Sequence, residues 1–245
     1  MATSMEKVVD KPANTPLTGT NLRFERKFVF PKGDANDIIR RIQLNSFGFR
    51  EVFHRRKINN IYFDDSNYTF YKQNVEGVAN RKKIRLRWYG DTTSKIESPT
   101  IEIKKKTGEV GDKDSFKING ASTLNLDLLS PFDIYPFLLE RVKQNRPLYE
   151  TLQVLHPTLL NTYERRYFLS FCGRFRITID YNQNFYNPNY PILQNSNTQI
   201  GEIVVELKYS TENDGDARQV SQQIGARLSK NSKYVTGINL LYHHV

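Results

Sequence analysis

Cysteine is almost missing from this chain: Cys172 is the single one in 245 residues. No intrachain disulfide can form, so packing must hold the fold, and a reducing compartment is expected. No stretch approaches the roughly 20 consecutive apolar residues of a membrane span. The opening "MATSMEKVVDKPANTPLTGTN" lacks the apolar run of a secretory signal. Residues 1–21 are read as a disordered lead and 22–242 as a single domain, with the cytoplasm as the expected location. A GxxxxGK[ST] loop is absent, which argues against ordinary P-loop nucleotide chemistry. Histidine is scarce: His54 lies in "FHRRK", His156 precedes Pro157, and His243 and His244 are terminal, so none stands out as a base. There is no zinc-like cysteine spacing and no fixed internal repeat.

Positive charge is what the chain has in excess. Lysine and arginine total 36 against 26 acidic residues, a formal charge of +10. That suggests a polyanionic partner, whether nucleic acid, phosphorylated metabolite or anionic membrane. With 38% hydrophobic residues, 15 phenylalanines and 14 tyrosines, the chain can build a substantial core.

Strands are expected at "LRFERKFVF", "KINNIYFDD", "NRKKIRLRWYG" and "PTIEIKKK", the last with a tail after a glycine-bearing loop. "LLNTYERRYFLS" and "FRITIDYNQNFYN" read as a hairpin, followed by "IGEIVVELKYS". Helices are expected after Asp34, through "SPFDIYPFLLERV" and "PLYETLQVL" with Pro131, Pro136 and Pro147 as breaks, and at "DARQVSQQIGARL". "SKNSKYVTGINLLYHHV" reads as a structured tail. The fold class is therefore α+β, mainly antiparallel, with about eight strands and helices packed outside them.

In "NRKKIRLRWYG", Arg81, Lys83, Arg85 and Arg87 alternate with Ile84, Leu86 and Trp88. A strand places such residues on opposite faces. The same holds for Glu25 and Lys27, for Glu102, Lys104 and Lys106, for Arg174, Arg176 and Asp180, and for Glu202, Glu206 and Lys208. "NTYERRYF" allows either Tyr163 with Arg165 or Glu164 with Arg166 on the charged face. An ordinary wet sheet face is the plain reading of any one strand. Repeated over five strands, it predicts a barrel with its apolar face outside and a cationic interior that needs an anion. Arginine forks suit phosphate oxygens. The carboxylates among them suggest a divalent cation such as Mg2+ or Mn2+, with Glu206 as its ligand. Nucleic acid is disfavoured because the aromatics are expected on the opposite face, away from the cations.

The pieces "RFERKF", "NIYFDD", "RKKIRLRWYG", "IEIKKK", "YERRYF", "FRITID", "VVELKY" and "SKYVTG", in this order, together resemble the VTC domain. This is the polyphosphate polymerase domain of the CYTH-like, triphosphate tunnel metalloenzyme superfamily, here in what resembles a stand-alone bacterial form. The resemblance implies a closed β tunnel and transfer of the terminal phosphate of ATP to growing polyphosphate, with Mn2+ or Mg2+. It implies catalytic contacts from Arg85, Arg87, Lys104, Arg165, Arg176 and Lys233. Lys27, Tyr163, Lys208 and Ser232 are implied to bind substrate, with Arg81 and Lys83 at the mouth, and Glu206 the metal. It also selects Tyr163 and Arg165 over their neighbours. ATP and polyphosphate are the expected partners, with no nucleic acid. The alternatives are a metal-dependent triphosphatase, with Glu25, Glu102 or Glu202 orienting water, and a non-catalytic polyphosphate binder.

Overall fold

Each alternating stretch forms a strand, and the apolar half of each alternation faces the helices. The computed structural model describes residues 23–92, 95–107, 110–119, 124–190 and 196–242. The expected lead at 1–21, His243, His244 and the side chain of Arg23 lie outside what is described. The strands are β1 (Arg23–Phe30), β2 (Arg50–Asp64), β3 (Asn80–Tyr89), β4 (Thr100–Thr107), β5 (Val110–Lys117), β6 (His156–Leu169), β7 (Arg176–Tyr186), β8 (Thr198–Ile200) and β9 (Ile203–Ser210). The helices are α1 (Ala35–Gln43), α2 (Thr69–Glu76), α3 (Pro131–Val142), α4 (Arg146–Leu152), α5 (Asp214–Ile224) and α6 (Lys233–Leu241).

Local chemistry sets the helix starts. The Asp34 carboxylate accepts from the Asn36 amide and opens α1. Ser130 and Asp133 form a reciprocal capping box at α3. Pro131 and Pro147 sit in first turns, where a missing N–H costs nothing, so they start helices rather than break them. Pro136 was expected to end a helix, but α3 runs through it. Its buried face of Ile134, Leu138 and Val142 packs on the sheet and outweighs one lost hydrogen bond. The expected strand "KINNIYFDD" is longer than predicted: β2 begins at Arg50 and takes in the basic "FHRRK".

All strand pairs are antiparallel, in the order β1-β9-β7-β6-β2-β3-β4-β5, with β8 beside β7. Among the described residues the fully closed ladder implied by the resemblance is not formed: β1 and β5 are the two edges of the path. The sheet curls so that these edges approach each other, with Lys104 of β4 in the field of Glu25 in β1 and Glu206 in β9. Tunnel-like curvature is thus present without a hydrogen-bonded seam.

The outer face is the apolar one. Ile84, Leu86, Trp88, Ile101 and Ile103 pack against α3 and α4. Ile177, Ile179, Val205 and Leu207 pack against α1 and α5 through Ile38, Ile42, Val220 and Ile224. Burying one such side chain contributes roughly 1.5–3 kcal/mol, so the two clusters account for much of the drive to fold. A third cluster is internal: the expected structured tail becomes α6, seated among Tyr62, Leu159 and Phe185. Gly237 permits this seating, since a Cβ there would lie 2.5 Å from Leu159 Cδ2 and 2.7 Å from Phe185 Cδ1. No helix among the described residues is long and apolar enough to cross a membrane.

Candidate functional site

Strand registers bring the cations onto one concave face. In an antiparallel ladder, residues directly opposite share a face. Arg85 lies opposite both Tyr62 and Glu102, Arg87 opposite Asn60, Lys83 opposite Lys104, and Arg81 opposite Lys106. Tyr163 and Arg165 share this face with Ile58 and Arg56, Arg165 with Asp180, Arg176 with Lys208, and Lys27 with Glu206. Glu164 and Arg166 therefore point outward, to Arg55 and Glu51. Arg174 was grouped with this face but precedes β7 and turns to Asp216 and Asn213.

Three acidic centres hold the cations. The first is Glu102, buried at 5% exposure. Its Oε2 accepts from Arg85 Nε at 2.8 Å and Nη2 at 2.6 Å, Arg87 approaches at 3.5 Å, and Lys113 reaches Oε1 at 3.4 Å. Arg85 also donates to the Tyr62 hydroxyl at 3.3 Å, and Arg87 to Asn60 Oδ1 at 3.0 Å and the Tyr163 hydroxyl at 3.3 Å. Burial alone would raise the Glu102 carboxyl, but Arg85, Arg87 and Lys113 outweigh it and hold it well below the carboxylate range.

Asp180, 1% exposed, is the second. It takes a two-pronged bond from Arg165 and a third from Lys233 at the start of α6. Despite burial, Arg165 and Lys233 pull its carboxyl down to about 2. Both cations also lie over the Tyr163 ring, at 5.3 Å and 4.5 Å. The third centre is a checkerboard on β1 and β9. Lys27 sits 3.0 Å from Glu25 and 3.6 Å from Glu206, and Lys208 sits 2.6 Å from Glu206 and 3.6 Å from Glu25. Burial opposes ionisation of Glu206, but Lys208 and Lys27 keep it well below its ordinary value.

Lys83 and Lys104 have no acidic side chain within ion-pair distance among the described residues. Lys83 donates to Ser232 Oγ at 2.7 Å, across to the N-terminus of α6. Burial, then Lys27, Arg85 and Arg81, push its ammonium down to about 7. Lys104 is lowered too, by burial and then by Arg85 and Lys208. Between about pH 7 and 10.5 the unfolded chain keeps the Lys83 proton that the folded chain sheds, so this lysine's contribution to stability improves as pH rises through that window. A polyanion bound beside it restores the charge. Titration calorimetry at about pH 8.5, in buffers of differing ionisation enthalpy, should show proton uptake on tripolyphosphate binding, and less of it in Lys83→Met. Equal uptake in both proteins would count against this.

Every expected site residue has a place here. Lys27, Lys83, Arg85, Arg87, Lys104, Tyr163, Arg165, Lys208, Glu206, Ser232 and Lys233 converge on the interior. Arg176 and Arg81 lie towards opposite ends of the same face, Arg81 donating to the Val78 carbonyl. Lys113, Asn60 and Tyr62 have no role in the sequence analysis above, and Asp180 only a place on the charged face; alternation in "GDKDSF" and "NNIYFD" puts the other three there as well. A further expectation is overturned. The aromatics do not keep to the apolar face, because Tyr62, Tyr89, Tyr163 and Tyr167 share the cationic one.

Among the described residues no group of three or more His, Cys, Asp or Glu side chains gathers as a ready-made metal cage. Magnesium-type ions do not need one: they use one or two carboxylates and complete the shell with water and phosphate oxygens. Glu206 and the neighbouring Glu25 are hard oxygen donors in mutual electrostatic contact, which fits such an ion.

A family model of the VTC domain matches residues 22–242. The chain belongs to the VTC domain family. Two solved structures share the fold of this VTC domain. One is a Bacillus halodurans protein provisionally named an adenylate cyclase: TM-score 0.51, 11% identity, 90% of this chain and 97% of that one covered. The other is a Hippeastrum protein provisionally named an adenylyl cyclase, with a dominant triphosphatase activity: TM-score 0.51, 13% identity, 90% of this chain and all of that one covered. No curated protein sequence matches the chain.

Proposed function

We propose that this VTC domain is a cytoplasmic polyphosphate polymerase that transfers the terminal phosphate of ATP to an inorganic polyphosphate chain. The observation that supports polymerase over hydrolase is the state of the inward carboxylates. Glu25, Glu102, Asp180 and Glu206 are each held by two or more cations. Their pKa values are all lowered, whereas a base that activates water works best near the operating pH. A terminal phosphate is already an anion and needs no base.

Phosphoryl transfer then depends on position and charge. Arg85, Arg87, Arg165 and Lys233 are fixed in place by Glu102 and Asp180, ready to meet charge on the transferred oxygens without reorganising. Lys27, Lys104, Arg176 and Lys208 would hold the remaining phosphates, Tyr163 and Ser232 would orient them, and Lys83 and Arg81 would lead the chain away. Glu206, with Glu25 beside it, would hold Mn2+ or Mg2+, which supplies Lewis-acid stabilisation when bound.

Protein incubated with ATP and Mn2+ should form long polyphosphate on a gel and release ADP. Orthophosphate released from tripolyphosphate without polymer, across several metals and primer lengths, would replace the polymerase with a triphosphatase. Retention of polyphosphate with neither product would leave a binding protein.

A further inference from the structure

The end of the interior at Tyr89 carries rings that the phosphoryl chemistry does not use. Arg56 lies opposite Arg165 on the inward face. Its guanidinium sits over three rings, Phe53 at 5.2 Å, Tyr89 at 5.5 Å and Tyr167 at 5.5 Å. Phe53 and Tyr167 meet edge to face at 5.7 Å. This is not core packing: Phe53 is 51% and Tyr89 47% exposed. Large exposed rings clustered at the rim of a cationic cavity are the unusual case, since a solvated rim needs no aromatic surface.

The rim is continuous with the phosphate-facing cations. Tyr89 lies two residues beyond Arg87, and Tyr167 two beyond Arg165, about 7 Å along each strand. That is a suitable offset for a group attached to a phosphate that Arg87 and Arg165 hold. We propose that Phe53, Arg56, Tyr89 and Tyr167 form a stacking platform for the nucleobase of a nucleoside triphosphate whose phosphates run inward. The proposal rests on the tunnel reading above and adds where the nucleoside sits. Phe and Tyr rings and a flat guanidinium stack on a base's π face. Rings read that face and not the hydrogen-bonding edge, so the platform tolerates any base and favours purines for their area.

Calorimetric binding of ATP, GTP, CTP, inorganic tripolyphosphate and single-stranded DNA tests this in the unmodified protein, Phe53→Ala and Tyr89→Ala. Leucine variants at both positions keep bulk, and melting curves verify folding. Each alanine substitution should weaken ATP and GTP about tenfold, the worth of one stacked base, and tripolyphosphate by less than about twofold. Parallel losses for ATP and tripolyphosphate, or no loss for ATP, would overturn the platform while leaving the tunnel standing. Loss confined to DNA would overturn it in favour of a nucleic-acid surface. Failure of the unmodified protein to bind tripolyphosphate would overturn the tunnel reading and the platform together.

Discussion

Glu206→Gln is expected to lower metal-dependent turnover about 100- to 1000-fold while tripolyphosphate binds as tightly as before or more tightly. Glutamine keeps the shape and one oxygen but removes the anionic donor that a hard divalent ion prefers. Binding moves the other way because Glu206 occupies two lysines. Its carboxylate lies 2.6 Å from Lys208 and 3.6 Å from Lys27, and both become free for phosphate once it is neutral. Turnover at saturating Mn2+ and a calorimetric Kd for tripolyphosphate, both on the one variant, separate the effects. A variant with unchanged manganese-dependent turnover would remove Glu206 from the mechanism. Reduced tripolyphosphate affinity would show that the carboxylate organises the lysines more than it competes with the ligand.

Glu102→Gln should reduce unfolding free energy by about 3–5 kcal/mol, the usual cost of breaking a buried ion pair from one side. Glu102 is 5% exposed and neutralises Arg85, Arg87 and Lys113. An uncharged amide leaves those cations facing one another in low dielectric, with Lys104 and Lys83 on the adjacent ladder positions. Since Glu102 is held well below its ordinary value, its stabilisation in the native protein is complete above about pH 4.3 and is lost as pH falls through the lowered folded value. The destabilised variant should recover more melting temperature from added tripolyphosphate than the native protein does, because the ligand supplies the missing negative charge. Denaturation at neutral pH with and without tripolyphosphate checks both parts. Unchanged stability without ligand would mean that the arginines hold their positions without Glu102.

Much of the site was legible because alternation is a local property of a strand. Arg81, Lys83, Arg85 and Arg87 had to share a face once "NRKKIRLRWY" was a strand, and Ile84, Leu86 and Trp88 had to take the other. The choice of Tyr163 and Arg165 over Glu164 and Arg166 was not local, since "NTYERRYF" alternates equally well in either sense; it came from the resemblance. Asp180 was visible as a charge on the right face. Its role as the anchor of Arg165 and Lys233 depends on partners 15 and 53 residues away.

The sequence by itself determined the strands, the apolar shell beneath the helices, the cationic sign of the interior and the family. Tertiary structure decided which cations are clamped, which have no acidic partner within ion-pair distance among the described residues, and where the rings lie. Bulges make the difference in β2. Its register against β6 shifts between Glu51 and Phe53 and again between Phe53 and Arg56, so counting by twos from Asn60 cannot place Phe53. Only pairing with a strand about a hundred residues away sets Phe53 opposite Tyr167 and Arg56 opposite Arg165. The same long-range closure seats α6 against Tyr62, where Ser232 reaches Lys83 and Lys233 reaches Asp180. Periodicity records what a strand does to its own side chains; register between distant strands depends on the packing of all of them at once.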